Sequence, residues 1–251
     1  MNLVRAELTK LWTLRSTAVT LAAALAVGAA LSLLVSSSLR SADDDQFDAL
    51  FAAFYGLTVA QIALVVFAVL AIGSEYRSGT IRAALAAVPR RGTFFAAKIV
   101  AVLGHLGVSA LVTVGAALLT AQVALGQRRA DVGEAVPAAI GAWLYLVLIG
   151  LFALGVATAL RSSTITLGIL LPLLLLGSQG LGNLPGVRVV TQFLPDQLGW
   201  VVMHLAGPQD DPRWARDYGP WTGLALLAVW TAAALLVGYA RLRRRDLGQT
   251  P

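Results

Sequence analysis

Residues 99–127 read IVAVLGHLGVSALVTVGAALLTAQVALGQ, and the 29 positions between Lys98 and Arg128 contain no Asp, Glu, Lys or Arg. A helix rising about 1.5 Å per residue needs roughly 20 such residues to cross a hydrocarbon core of about 30 Å, so this run spans a bilayer with length to spare. Its apolar residues are continuous rather than alternate. That excludes a strand of a membrane β-barrel, where lipid-facing and lumen-facing positions alternate.

Outward from this run the same gap recurs five times. Charge-free stretches of 24, 26, 26, 26 and 23 residues lie between Arg15 and Arg40, Asp48 and Glu75, Glu134 and Arg161, Arg161 and Arg188, and Asp217 and Arg241. The sequence therefore predicts an all-α membrane protein, one transmembrane domain over residues 1–251, with six spans near 16–35, 51–73, 99–126, 135–160, 164–181 and 221–240. Residues of hydrophobic type make up 58%, charged residues only 13%, and the mean hydropathy is +0.77; this excludes a soluble domain or secreted enzyme. Small residues crowd the spans, as in Gly28-Ala29-Ala30, because lipid offers no hydrophobic drive and helices must approach closely to associate.

The formal charge of +6 has a membrane explanation. With six spans and both termini cytoplasmic, the inner segments hold 13 of the 19 basic residues and only three of the 13 acids, Glu7, Glu75 and Asp246. The Lys/Arg excess sets that orientation, and the basic face meets anionic lipid with no need of nucleic acid. The expected location is the cytoplasmic (inner) membrane, multi-pass. With no cysteine there is neither a disulfide nor a thiolate metal site. The first apolar run is too long for a signal peptide and ends without a clear small-x-small cleavage site.

Two segments depart from the spanning pattern, and a third helix precedes the first span. Val4, Leu8, Leu11 and Trp12 repeat at helical spacing beside Arg5, Lys10 and Arg15, which describes an amphipathic helix on the cytoplasmic surface. The stretch 74–97 is too polar to span, yet Ile81, Ala84, Leu85 and Val88 mark a short amphipathic helix closed by Pro89. Outside, Leu198, Val201, Val202 and Leu205 have helical spacing after Pro195 and Asp196, with Trp200 and Trp214 suited to the interface. They are read as a re-entrant hairpin before the last span.

Catalytic chemistry is sparse. The two lysines, Lys10 and Lys98, lie outside any glycine-rich phosphate loop, so this chain hydrolyses no nucleotide. His105 and His204 have no acidic or histidine partner at ligand spacing and read as packing or interfacial residues. Ser178 lacks a base and reads as a small-residue helix contact. The spans contain no buried acid or base for ion coupling; their polar groups are His105 and neutral side chains such as Gln61, Gln122 and Gln179. Gln61 and Gln179 are candidates to line a substrate path, against the commoner use of such amides in interhelical hydrogen bonds. Pro172 removes a hydrogen bond from the fifth span.

The segment Gly73-Ser74-Glu75-Tyr76-Arg77-Ser78-Gly79-Thr80-Ile81-Arg82, then Pro89-Arg90-Arg91 and Ala97-Lys98, resembles the permease subunits of ABC-2 type transporters. In these an E-Y/F-R-x-G-T loop after the second span leads into a coupling helix. Glu7-Leu8-Thr9-Lys10 fits the N-terminal E-L-x-K stretch. The resemblance extends over the six-span layout, surface helix and outer hairpin included. It implies an exporter of amphipathic or hydrophobic substrates, built from two permeases, identical or paralogous, and two separate ATP-binding cassette subunits that hold MgATP. It also implies a coupling element of Glu75, Arg77, Gly79, Thr80, Ile81, Arg82, Leu85, Val88, Arg90 and Arg91, and a surface helix marked by Glu7, Lys10 and Trp12. The face of Ile81, Leu85 and Val88 is expected to meet a groove on the ATPase, the arginines its carboxylates, and Glu75 an arginine of the loop or N-terminal helix. Rival readings are a non-transporting scaffold or immunity protein and an ion-coupled carrier.

Overall fold

The computed structural model describes residues 2–41, 47–88, 90–178 and 186–244. All regular structure among these residues is helical. Helix α1 (Asn2–Thr13) gives way at the extended Leu14 to α2 (Arg15–Leu39). Asp48 caps α3 (Ala49–Phe54) by accepting from the amides of Leu50 and Phe51 at 2.8 and 3.1 Å, and α4 (Leu57–Ser78) follows after a break at Tyr55-Gly56. The second expected span, 51–73, is thus two helices covering 49–78. Next come α5 (Thr80–Ala87) and α6 (Arg91–Leu125), whose 35 residues rise about 52 Å, so that α6 begins two turns before the expected third span. Then α7 (Val132–Leu160), capped by Asp131 on the Gly133 amide, leads through Arg161 to α8 (Ser163–Ser178), and α9 (Arg188–Thr191) and α10 (Pro220–Arg244) are the last helices among the described residues.

Five of these helical stretches are long and apolar enough to cross a membrane: Arg15–Leu39, Ala49–Ser78, Arg91–Arg128, Val132–Leu160 and Pro220–Arg244. The sixth expected span, 164–181, is represented by α8, whose 16 residues rise about 24 Å and run unbroken through Pro172. Residues 179–181 of that span lie outside the described residues.

Helix α4 lies at the centre of the bundle, with buried residues around its whole circumference, among them Leu57, Gln61, Leu64, Phe67, Ala68 and Ile72. Helix α2 buries only a narrow stripe, Thr17 and then every fourth position at Ala24, Gly28, Ser32 and Ser36, and Ser32 donates to the Ala117 carbonyl of α6 at 2.6 Å. The most extensive packing is between α7 and α10. Gly155 and Gly238 make it possible: a Cβ on Gly155 would sit 2.6 Å from the backbone of Ala234, and one on Gly238 would sit 2.8 Å from the Gly155 carbonyl.

The outer segment departs from expectation. Leu198, Val201, Val202 and Leu205 are buried, but they lie on successive turns rather than a helix, with irregular bonds such as Trp200 N to Gln197 O at 3.0 Å and Leu205 N to Trp200 O at 2.8 Å. His204 adopts a positive φ of 58°, a conformation that no helix running through that position could accommodate. Trp200, expected at the interface, is buried inside the bundle. Tyr145, midway along α7, donates its hydroxyl towards the Asp196 carbonyl at 3.0 Å, so the segment reaches deep between the helices and has protein groups to satisfy its backbone.

Candidate coupling site

Gly79 closes α4 in the left-handed conformation, φ 72°, which a glycine adopts without steric cost, and its amide donates to the Tyr76 carbonyl at 3.4 Å. The chain turns at once into α5, and backbone helicity ends at Val88. The predicted periodicity is present: Ile81 and Leu85 are buried, with Ala84 and Val88 beside them. Their cover, however, comes from within the chain. Phe94 and Phe95 of α6 and Leu242 of α10 form one cluster with Ile81 and Leu85, and Tyr239 stacks near Phe95 with ring centroids 6.1 Å apart. The expectation that this apolar face meets a groove on another protein is therefore corrected, because burial of two such side chains, roughly 1.5–3 kcal/mol each, is already satisfied here. What α5 and its approach leave open to solvent are Arg77, Ser78, Gly79, Thr80 and Arg82, with the Ser78 and Thr80 hydroxyls 2.9 Å apart. Arg90 is exposed, whereas Arg91 donates to the carbonyls of Leu242 and Arg243 at 2.9 and 3.1 Å and so ties the start of α6 to the end of α10.

Beneath α5 lies a cluster of charge. Lys98 of α6 donates to Glu7 of α1 and to Glu75 of α4, and Lys10 of α1 donates to the same Glu75 oxygen. Lys98 has no solvent exposure and sits 5.6 Å from the centroid of the Phe94 ring. Two lysines and two glutamates make the cluster neutral, which is the condition for holding ions away from water. The second Glu75 oxygen has no partner among the described residues. Glu75 does meet the N-terminal helix, but through a lysine rather than an arginine. The signal was in the sequence: these are the only lysines of the chain, and one stands at the threshold of the third span.

The surface helix is less superficial than its periodicity implied, since Leu11 and Glu7 are buried against the bundle while Trp12 is 77% exposed. The Trp12 ring lies 5.4 Å from that of His105, which packs also near Phe67 and bonds through Nδ1 to the Ala101 carbonyl at 3.0 Å.

Gln61 and Gln179 are not brought together by anything described: Gln179 lies outside the described residues, as does the Ser178 side chain. Gln61 is buried, donates to the Thr58 carbonyl at 2.9 Å and accepts from the Tyr145 hydroxyl at 2.6 Å, an interhelical hydrogen bond. A further buried acid lies in the outer segment. Asp196, outside the spans, is 1% exposed, and Gln197 links it to Arg216 by donating to Asp196 at 2.7 Å while Arg216 reaches its oxygen at 3.5 Å.

At the end of the bundle away from α5, His204 finds an acidic partner that sequence spacing did not show. Its Nδ1 lies 3.0 Å from Asp48, 156 residues away, at the rim of a cleft of about 1110 Å³ that includes Arg128, Glu134 and Trp214. The Asp48 bond raises the His204 pKa, against the opposing effect of burial, with the Asp48 and Glu134 charges adding to the rise. Burial alone would raise Asp48, but hydrogen bonds from His204 and the α3 amides outweigh it and hold the carboxyl below its usual range. Among the described residues no group of three or more acids and histidines could hold a metal ion.

No curated protein matches the sequence. The family described as ABC-2 family transporter protein matches residues 3–177, from α1 through α8, with the Glu7-Lys98-Glu75 cluster and α5 inside the matched region. A match over well more than half of the chain, carried on apolar helices of spanning length, makes this multi-pass membrane protein a member of the ABC-2 transporter family.

Proposed function

We propose that the chain is the membrane-spanning permease of an ATP-driven exporter, working as two permease copies, identical or paralogous, with two separate ATPase subunits that hold and hydrolyse MgATP. In this arrangement it lies in the inner membrane with α5 and both termini in the cytoplasm, and it moves amphipathic or hydrophobic substrates outward. The observation that carries the proposal is the build of α5. It joins α4 to α6 directly, its apolar side grips α6 and α10, and its polar edge of Arg77, Thr80 and Arg82 is open to a partner. A push on that edge moves α4 and α6 together, because Glu75 and Lys98 lock them a turn below. Ile81, Leu85 and Val88 carry the motion inward, and Gly79 permits the tight junction.

Purification in mild detergent tests this: a cassette ATPase with a phosphate-loop lysine should accompany the permease. Arg77→Glu with Arg82→Glu should release that ATPase while the permease remains inserted and folded. Transport by this chain alone in proteoliposomes, driven by an ion gradient, would overturn the proposal. Impermeant thiol labelling of single cysteines checks orientation; Ser41→Cys and Ala130→Cys should label in intact cells, and Ser78→Cys should not.

A further inference from the structure

A groove of about 550 Å³ lies between the first turn of α6 and the last turns of α10, lined by Arg90, Arg91, Gly92, Thr93, Tyr239 and Arg243. Three of its six residues are arginines and none is acidic. Arg91 is engaged by the α10 carbonyls, which fixes the two helices together and holds the groove open. Arg90 and Arg243 are exposed, and neither has a carboxylate within ion-pair distance among the described residues. Gly92 lets the Tyr239 hydroxyl close over the floor, since a Cβ there would sit 3.2 Å from it.

Position identifies the ligand's source. Tyr239 stands at the end of the charge-free run of α10, two residues before Arg241, and an aromatic ring with a polar tip belongs at the boundary between hydrocarbon and headgroups. About one turn towards the bilayer on α10, Leu236 and Val237 are 66% and 51% exposed, and about two to three turns along α6 Val100 and Leu103 are also exposed. A soluble anion would have no use for such apolar flanks, whereas a phospholipid covers them with its chains. We propose that the groove binds the phosphodiester headgroup of an anionic phospholipid, with Arg90 and Arg243 on its phosphate oxygens, the hydroxyls of Thr93 and Tyr239 donating to it, and the acyl chains along α6 and α10. The site rests on the orientation proposed above only in assigning the lipid to the cytoplasmic leaflet.

The test is native mass spectrometry of the full-length permease, purified in mild detergent with phosphatidylglycerol and phosphatidylcholine. The unaltered protein should retain one phosphatidylglycerol per chain in preference to phosphatidylcholine. Arg90→Gln with Arg243→Gln should weaken that retention on the order of twentyfold, each charge near an anionic surface contributing on the order of fivefold. Excess inorganic phosphate should leave the lipid bound. Arg77→Gln with Arg82→Gln removes the same charge from the open edge of α5; it should keep the lipid and weaken only the ATPase interaction, so the two proposals fail separately. Thr93→Ala, at an exposed position, should lower retention by a smaller factor and gives a second readout if the double variant unfolds. Equal lipid loss from both arginine pairs, displacement by inorganic phosphate, or loss of the ATPase but not the lipid from the groove variant would each overturn the site.

Discussion

Lys98 of α6 and Glu75 of α4, 23 residues apart in sequence, form an ion pair with 0% and 2% of their side chains exposed, and Glu7 of α1 joins Lys98 from the other side. Three helices thus meet through one ammonium group. An ion pair this deep need not stabilise the protein relative to an apolar substitute, but removing one member strands the others without solvent.

Lys98→Met should therefore be severe. It leaves Glu7 and Glu75 against Lys10 alone, a net negative cluster, and the expected loss is about 3–5 kcal/mol. Lys10→Met should cost less, because that side chain is 39% exposed and water can take its place at the edge of the cluster while Lys98 still pairs with both glutamates. Thermal unfolding in detergent separates the two. Equal midpoints would mean that water reaches Lys98 and that the cluster is not sealed.

Leu85 tests whether the apolar face of α5 serves the chain itself. Leu85→Ala should destabilise locally by about 2 kcal/mol, since it opens space against Phe94, Phe95 and Leu242. Backbone hydrogen exchange in α5 should accelerate while exchange in the middle of α7 stays unchanged. Ala86→Asp, on the exposed side, should leave both alone. Faster exchange throughout the bundle after Leu85→Ala would show that α5 is part of the global core rather than a satellite of it.

Five helices of spanning length were legible because charge is excluded from hydrocarbon, so positions such as Arg15, Arg40, Glu75, Lys98 and Arg161 mark their limits without reference to anything distant. The α5 helix was legible for a similar reason: Ile81, Ala84, Leu85 and Val88 fix the helical period within eight residues. What periodicity cannot supply is the partner. A stripe on α5 says that something covers it, and Leu242 arrives from the far end of the chain. The same limit hid the pairing of His204 with Asp48 and the depth of Asp196, whose burial depends on Tyr145 of a different helix. Helical spacing at Leu198 to Leu205 misled because apolar residues at such intervals also line a series of tight turns once the backbone is satisfied by neighbours.

The α7 and α10 crossing gives a third expectation. Gly155→Leu places a side chain where the backbone of Ala234 and Leu235 lies within 2.7 Å of the new Cβ, neither of which can rotate away. The helices must separate, at a cost of about 1–3 kcal/mol or more. Gly115→Ala in α6, where no atom lies within 4 Å of the added Cβ, should be neutral or stabilising by up to about 1 kcal/mol, as alanine favours the helix. Thermal midpoints of the two variants should move in opposite directions or differ clearly; a tolerated Gly155→Leu would mean that the crossing is looser than its geometry.

The pairing of His204 with Asp48 should make the rim of the cleft respond to pH on that side of the membrane. His204 titrates above its ordinary value in the folded protein, so its contribution is fully present below about 6.5, the unperturbed histidine value, and is lost as pH rises through the raised one. Asp48 has the opposite sign: its contribution is present above the unperturbed 3.8 and is lost as pH falls through the lowered value. The contact is therefore strongest between those limits and opens on the alkaline side. A single cysteine at Ala206, buried beside His204, reports it by its labelling rate. Because thiolate formation also speeds labelling at high pH, the quantity to compare is the ratio of rates with and without His204→Gln. That ratio should approach one above the raised histidine value and depart from it below, where only the histidine-bearing protein is closed. Arg128, Arg129, Asp131, Glu134, Asp211 and Arg213 line the same cleft, and the Glu134 charge adds to the rise at His204, so Glu134→Gln should shift the midpoint downward without abolishing the transition. A ratio flat across the range would show that Asp48 and His204 do not hold the cleft closed.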